Sequence, residues 1–208
     1  MRRIAALILT SGVALSAFVL PGEGAQQLPQ DAPAYTAYQR NALRSHFPDV
    51  MLLTQDNEQK RFYDDLIKDK IVVIQFMFAN CDELCPRTTP NLARVQRNLQ
   101  QRAPGRVNFL SITVDPKRDT PQALKRYASH FDIQRGWYFL TGKKDDVDLV
   151  RRKLGVYDPE DKKLEHMNVL TIGNEAQGRW LAMEALAKPD DITQTVLRVL
   201  GKTVPAQR

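Results

Sequence analysis

The stretch IVVIQFMFANCDELCP, residues 71–86, decides how this chain folds. Its first part, Ile71–Phe78, is β-branched, aromatic or otherwise apolar apart from one glutamine, with almost no alternation of apolar and polar positions. Such a run is typical of a strand that is covered on both faces, as in parallel sheets. Two cysteines and a proline follow, so the residues with the most distinctive chemistry stand at the carboxyl end of the predicted strand.

Outward from this stretch, the chain alternates predicted strands and helices. Strands are predicted over residues 50–54, 107–114, 137–141, 167–172 and 179–183, and helices over 91–102 and 191–200, with two more between them. Pro90 is predicted at the first helical position of one helix, Thr120 and Pro121 at the start of the next, and Asp145 at the cap of a third. This order predicts one α/β domain: a mixed, mostly parallel central sheet with flanking helices, ending in a β-hairpin plus a helix.

The composition and the amino-terminal segment narrow the class of protein. With 43% hydrophobic and 26% charged residues in 208, the chain is not a polytopic membrane protein, a disordered tail or a fibrous repeat. Arg2 and Arg3 precede an apolar run of residues 4–20, which predicts a signal peptide over residues 1–24 or an uncleaved membrane anchor, and hence export. The remaining boundaries are a linker over 25–47, the folded domain over 48–202 and a tail over 203–208. Although the net charge is +6, the basic residues are not interleaved with aromatics, so no nucleic-acid partner is expected.

Cys81 and Cys85 are the only cysteines, and at a spacing of i, i+4 they share one face of a helical turn. They could close a local disulfide, or bind one soft metal ion together. The disulfide would stabilise little, because its loop is short, whereas carboxyl ends of strands are where α/β sheets build sites. A helix N-terminus would also favour thiolate over thiol. The position therefore favours a functional thiol pair.

A metal held by two thiolates needs a further ligand, and His166, just before the strand predicted over 167–172, is the best candidate. Two thiolates and one imidazole suit Cu(I), whereas zinc could use the same ligands with a water. The other histidines, His46 and His130, are expected to be surface residues.

Two motifs carry a family resemblance. Phe76–Pro86 resembles the CxxxCP signature of the Sco/SenC proteins, and Ser111–Pro121 is similar to the TVDPxRDTP stretch of that family. A single histidine about eighty residues after the second cysteine fits the same pattern, and the resemblance covers residues 48–200. The sequence departs from the family pattern in two places. Asp82 follows the first cysteine, where proline is frequent in the family, and Glu165 and Met167 flank the histidine, where Asp and Ser are common. The carboxylates at 82 and 83 should raise the pKa of the thiols.

The resemblance implies a thioredoxin-like fold and a periplasmic or membrane-anchored protein. It implies copper bound by Cys81, Cys85 and His166, with Asp115 in a supporting role, and assistance to the binuclear copper site of cytochrome c oxidase. The copper-bearing subunit of that enzyme, or another copper or thiol protein, would be the partner.

The sequence is therefore compatible with four functions. The leading one is a copper metallochaperone, and the alternative is a thiol–disulfide oxidoreductase that reduces partner cysteines through Cys81 and Cys85. A thiol peroxidase is disfavoured, because residues 77–80 lack the threonine that such enzymes place before the reactive cysteine. The fourth is an exported binding module with an inert disulfide.

Overall fold

The computed structural model describes residues 46–81, 85–157 and 168–201. The predicted leader over 1–24, the tail over 203–208 and His166 lie outside the described residues, as do Asp82, Glu83 and Met167. Within the described part of the chain, none of the helices combines the length and the apolar character that crossing a bilayer requires.

Seven strands and four α-helices make up the described domain. The strands are β1 (Met51–Thr54), β2 (Gln59–Arg61), β3 (Ile71–Met77), β4 (Val107–Thr113), β5 (Trp137–Gly142), β6 (Val169–Asn174) and β7 (Arg179–Glu184). The α-helices are α1 (Cys85–Arg102), α2 (Pro121–Ala128), α3 (Lys144–Lys153) and α4 (Pro189–Val199). A π-helix, Phe62–Ile67, follows β2, and a 3₁₀ turn, Glu175–Gln177, joins β6 to β7.

The strands form one mixed sheet in the order β2-β1-β5-β4-β3-β6-β7. The sheet is less parallel than predicted: β4 pairs in parallel with β3 and with β5, and the other four pairings are antiparallel. The predicted carboxyl-terminal hairpin is confirmed as β6 and β7. Helices α1 and α4 pack against each other, and α2 and α3 pack on β5.

Strand β3 lies in the interior of this sheet, with β4 on one side and β6 on the other. All seven of its residues are buried, which confirms the prediction from its unbroken apolar run. In the parallel register, Met77 at the end of β3 stands opposite Thr113 at the end of β4. The two connections that leave these strands, toward α1 and toward α2, therefore emerge side by side.

The starts of the helices test the capping predictions. Thr120 caps α2 as predicted: its hydroxyl accepts the Ala123 N–H at 3.2 Å, and Pro121 begins the helix. Asp145 does not cap α3, because that helix starts at Lys144 and Asp145 lies within its first turn. Its negative charge there still interacts favourably with the positive end of the helix dipole. Helix α1 begins at Cys85, not after Pro90, which lies inside it.

Candidate metal centre

The two cysteines lie where β3 passes into α1. Cys81 follows the strand and Cys85 is the first residue of the helix. Both are free thiols, with only 4% and 1% of their surfaces exposed. The backbone N–H of Cys85 donates to the Sγ atom of Cys81 at 3.3 Å, so the two residues are brought together as the spacing predicts.

Burial governs the protonation of the second thiol. It raises the pKa of Cys85 to about 12, and the hydrogen bond with Cys81 acts in the same direction, while a backbone hydrogen bond of Phe78 opposes both. The expectation that the helix N-terminus would favour a thiolate is therefore wrong for Cys85, because desolvation outweighs that field. Cys85 is a thiol at neutral pH, and a metal that binds its sulfur must displace the proton.

The connection from β4 to α2 runs beside the thiols. Asp119, which is 3% exposed, accepts two hydrogen bonds on the same oxygen, Oδ2: one from the Thr113 hydroxyl at 2.5 Å and one from the Ala79 N–H at 3.0 Å. Burial raises the pKa of Asp119, and these two hydrogen bonds act against that shift. The carboxylate therefore links the end of β4 to the turn that leads into Cys81.

Asp115, the predicted supporting residue, begins the same connection. Its N–H donates to the Thr113 hydroxyl at 2.9 Å, and its carboxylate forms an ion pair with Arg118, with Nη2 and Oδ2 2.5 Å apart. The carboxylate of Asp115 is thus engaged by a guanidinium that is largely exposed.

A tyrosine of α2 completes the surroundings of the second cysteine. The Tyr127 hydroxyl donates to the Cys85 carbonyl oxygen at 3.3 Å and lies 2.8 Å from the Thr89 hydroxyl. Burial also raises the pKa of Tyr127. Sequence reasoning missed both Asp119 and Tyr127: the first reads as ordinary turn-and-cap chemistry, and the second as one of the apolar positions of a helix.

The remaining predicted ligand cannot be placed, because His166 falls between the described residues 157 and 168. His46 and His130 are exposed, which confirms the prediction for them. Over residues 46–81, 85–157 and 168–201, no three His, Cys, Asp or Glu side chains are grouped so that they could hold a metal ion. Two adjacent sulfurs, buried at the end of a central strand, are the donor set that this part of the chain supplies, and such ligands suit a soft metal or a reversible disulfide.

Comparison with known proteins bears on both fold and family. A family model described as SCO1/SenC matches residues 38–201. The mitochondrial protein SCO2 of Saccharomyces cerevisiae is 32% identical over 162 residues, which cover 77% of this chain and 51% of the relative. The chain thus spans about half the length of the first curated relatives that it matches.

Solved structures show the same fold. The crystal structure of yeast Sco1 with copper bound superposes with a TM-score of 0.60 at 22% identity, covering 77% of this chain and 98% of that one. BsSco, described as a Sco-family cytochrome c oxidase assembly protein with a disulfide switch, gives a TM-score of 0.60 at 23% identity, covering 71% of this chain and 88% of that one. The thioredoxin-like fold that the motifs implied is thereby confirmed. Because the family model matches most of the length of this chain, the chain belongs to the SCO1/SenC family.

Proposed function

We propose that this protein is a copper metallochaperone that holds one copper ion through Cys81, Cys85 and His166. The observation that carries the proposal is the pair of adjacent buried thiols, joined by the hydrogen bond from the Cys85 N–H to the Cys81 sulfur. Copper bound to yeast Sco1, a structural neighbour, supports it.

The chain's own residues divide the work of holding this cargo. The two sulfurs supply the soft ligands that Cu(I) prefers, and the imidazole of His166 supplies the third. Both thiols are buried, so the sulfurs are shielded from water and from oxidants. Each sulfur that binds copper gives up its proton, so copper uptake releases protons and is favoured by rising pH.

The proposed target is the binuclear copper site of cytochrome c oxidase, on the copper-bearing subunit of that enzyme. We also propose that residues 1–24 export the chain or anchor it to the membrane, that residues 48–202 form the copper-binding domain, and that this domain faces the periplasm. Cell fractionation with an antibody to the domain tests the location. Recovery of the protein in the cytoplasmic fraction would contradict it.

Competition titration of the reduced protein with a Cu(I) chelator tests the ligand set. The wild type should bind one Cu(I) per chain, and Cys81→Ser, Cys85→Ser and His166→Ala should each bind far more weakly. His130→Ala removes an exposed imidazole instead and is the matched control. Full affinity in His166→Ala would refute the three-ligand site, and full affinity in both serine variants would refute the copper function.

A second function, reduction of a partner's disulfide by Cys81 and Cys85, is favoured by the closeness of the same two residues. The disulfide switch described for BsSco supports it. In this reaction the two thiols are oxidised to a disulfide while the partner's disulfide takes up two electrons and two protons. Because His166 has no part in that exchange, His166→Ala should keep the wild-type reduction potential of the thiol pair while it loses copper affinity.

A further inference from the structure

We propose that Asp119 is a positioning residue for the thiol pair: its carboxylate holds the turn that carries Cys81 against the end of β4. This inference rests on the proposed copper function, since the geometry of the two sulfurs matters most when both must bind one ion.

The hydrogen-bond ladder between β3 and β4 stops just before the cysteines. Met77 and Thr113 are the last residue pair, and the Val114 N–H donates to the Met77 carbonyl oxygen at 2.8 Å. The chain then turns at Ala79 and Asn80 and reaches Cys81. At this turn, the Asp119 side chain accepts the Ala79 N–H and takes the place of a strand partner.

The carboxylate is itself held in place by its own connection. The Asp119 N–H donates to the Asp115 carbonyl oxygen at 3.0 Å, and the next residue, Thr120, caps α2. On its other side, the Thr113 hydroxyl donates to the oxygen that accepts from Ala79. Asp119 is therefore fixed by β4 and by the start of α2, and it transmits that fixed position to the turn.

A shift of this turn would move the Cys81 sulfur relative to the Cys85 sulfur, which belongs to the separate helix α1. Metal–ligand geometry tolerates displacements of about 0.5 Å before affinity suffers. Loss of a residue that orients a metal ligand costs about 10–100-fold in metal affinity. We therefore expect removal of the Asp119 side chain to weaken copper binding without removing any ligand.

The first test compares Asp119→Ala with Asp119→Asn in Cu(I) competition titrations, alongside the wild type and Cys81→Ser. Asp119→Ala should lose about 10–100-fold in affinity. Asp119→Asn keeps one carbonyl oxygen that can accept from both donors, so it should recover most of that loss. Wild-type affinity in Asp119→Ala would overturn the proposal. Equal loss in both variants would overturn it too, because the charge of Asp119, not its hydrogen bonds, would then be acting on the site.

A second pair of variants decides the question if Asp119→Ala does not fold. Thr113→Ser keeps the hydroxyl that donates to Asp119 and accepts from the Asp115 N–H, and Thr113→Val removes both hydrogen bonds with little change in shape. Weaker copper binding in Thr113→Val than in Thr113→Ser supports the proposal, and equal binding overturns it. The Cys81→Ser control separates the two failures: if the wild type binds Cu(I) no better than this variant, the copper function fails and not the role of Asp119 alone.

Discussion

Replacement of Gly173 by alanine should destabilise the domain through a steric clash across the carboxyl-terminal hairpin. Gly173 in β6 stands opposite Trp180 in β7. A Cβ atom on Gly173 would lie 2.2 Å from the Cζ3 atom and 2.3 Å from the Cε3 atom of the Trp180 ring, whereas ordinary contact begins near 3.4 Å. The ring would therefore have to move by more than about 1 Å to make room.

Movement of the Trp180 ring would disturb its packing against the core. Trp180 packs on Phe47, with ring centroids 5.0 Å apart, and Phe47 in turn packs on Phe62 and Tyr63 in the core. Overpacking costs about 1–3 kcal/mol, and an aromatic pair that is disturbed costs up to about 1.5 kcal/mol more. Alanine restricts the unfolded chain more than glycine does, which offsets about 0.4–1 kcal/mol of this loss of stability. The free energy of unfolding should fall by about 2–3 kcal/mol.

Urea denaturation of the single and double variants tests this reasoning. In a Trp180→Ala background the clash is absent, so Gly173→Ala should cost far less there than in the wild type, and the two changes should not be additive. An equal cost in both backgrounds, or no cost in the wild type, would refute the steric account.

Copper binding should survive Gly173→Ala. Gly173 pairs with Val72, five residues before Met77, which puts it about 16 Å along the sheet from the end of β3, after which the thiols follow. A loss of copper affinity in the folded variant would contradict the placement of the site at that end of β3.

Three further substitutions test separate parts of the fold. Thr120→Ala removes the cap of α2 and should lower the free energy of unfolding in urea by about 1 kcal/mol; an unchanged midpoint would argue against the cap. Glu175→Ala removes the buried carboxylate that accepts from the Tyr63 hydroxyl and from the Asp69 N–H, and should cost about 1–3 kcal/mol in the same assay, whereas a neutral result would show that these two bonds contribute nothing. Tyr127→Phe removes the hydroxyl that donates to the Cys85 carbonyl and should cost about 0.5–1.5 kcal/mol by thermal unfolding; equal or greater stability would contradict it.

The central strand could be predicted from sequence because its signal is simple. The β-branched run of β3 has no polar face to expose, and the structure buries every residue of it. By contrast, β2 and the π-helix that follows it were not predicted. Strand β2 consists of three polar residues, and the π-helix is too short to show a hydrophobic period. The prediction of a mostly parallel sheet erred because strand spacing does not say which strands occupy the edges of a sheet.

In the candidate site too, some residues could be predicted from sequence and others could not. The closeness of Cys81 and Cys85 could be predicted because their i, i+4 spacing after a buried strand places both at the end of that strand. Asp119 could not, because a carboxylate in an Arg-Asp-Thr-Pro turn reads the same whether it faces water or a half-buried backbone N–H. The difference is made by the parallel register of β3 and β4, a tertiary fact that no local pattern encodes.

The proline inside α1 has a consequence for local opening of the domain. Pro90 has no N–H, so the Pro86 carbonyl oxygen lacks the donor that an α-helix would normally provide for it. The Tyr127 hydroxyl of α2 donates to the neighbouring Cys85 carbonyl oxygen, so this turn is held in part by another helix. This turn can therefore open as a unit while the rest of α1 stays folded, and amide hydrogens of residues 87–89 should exchange with solvent sooner than those of residues 95–102. We therefore expect access to the second sulfur to depend on the free energy of that local opening and not on global unfolding.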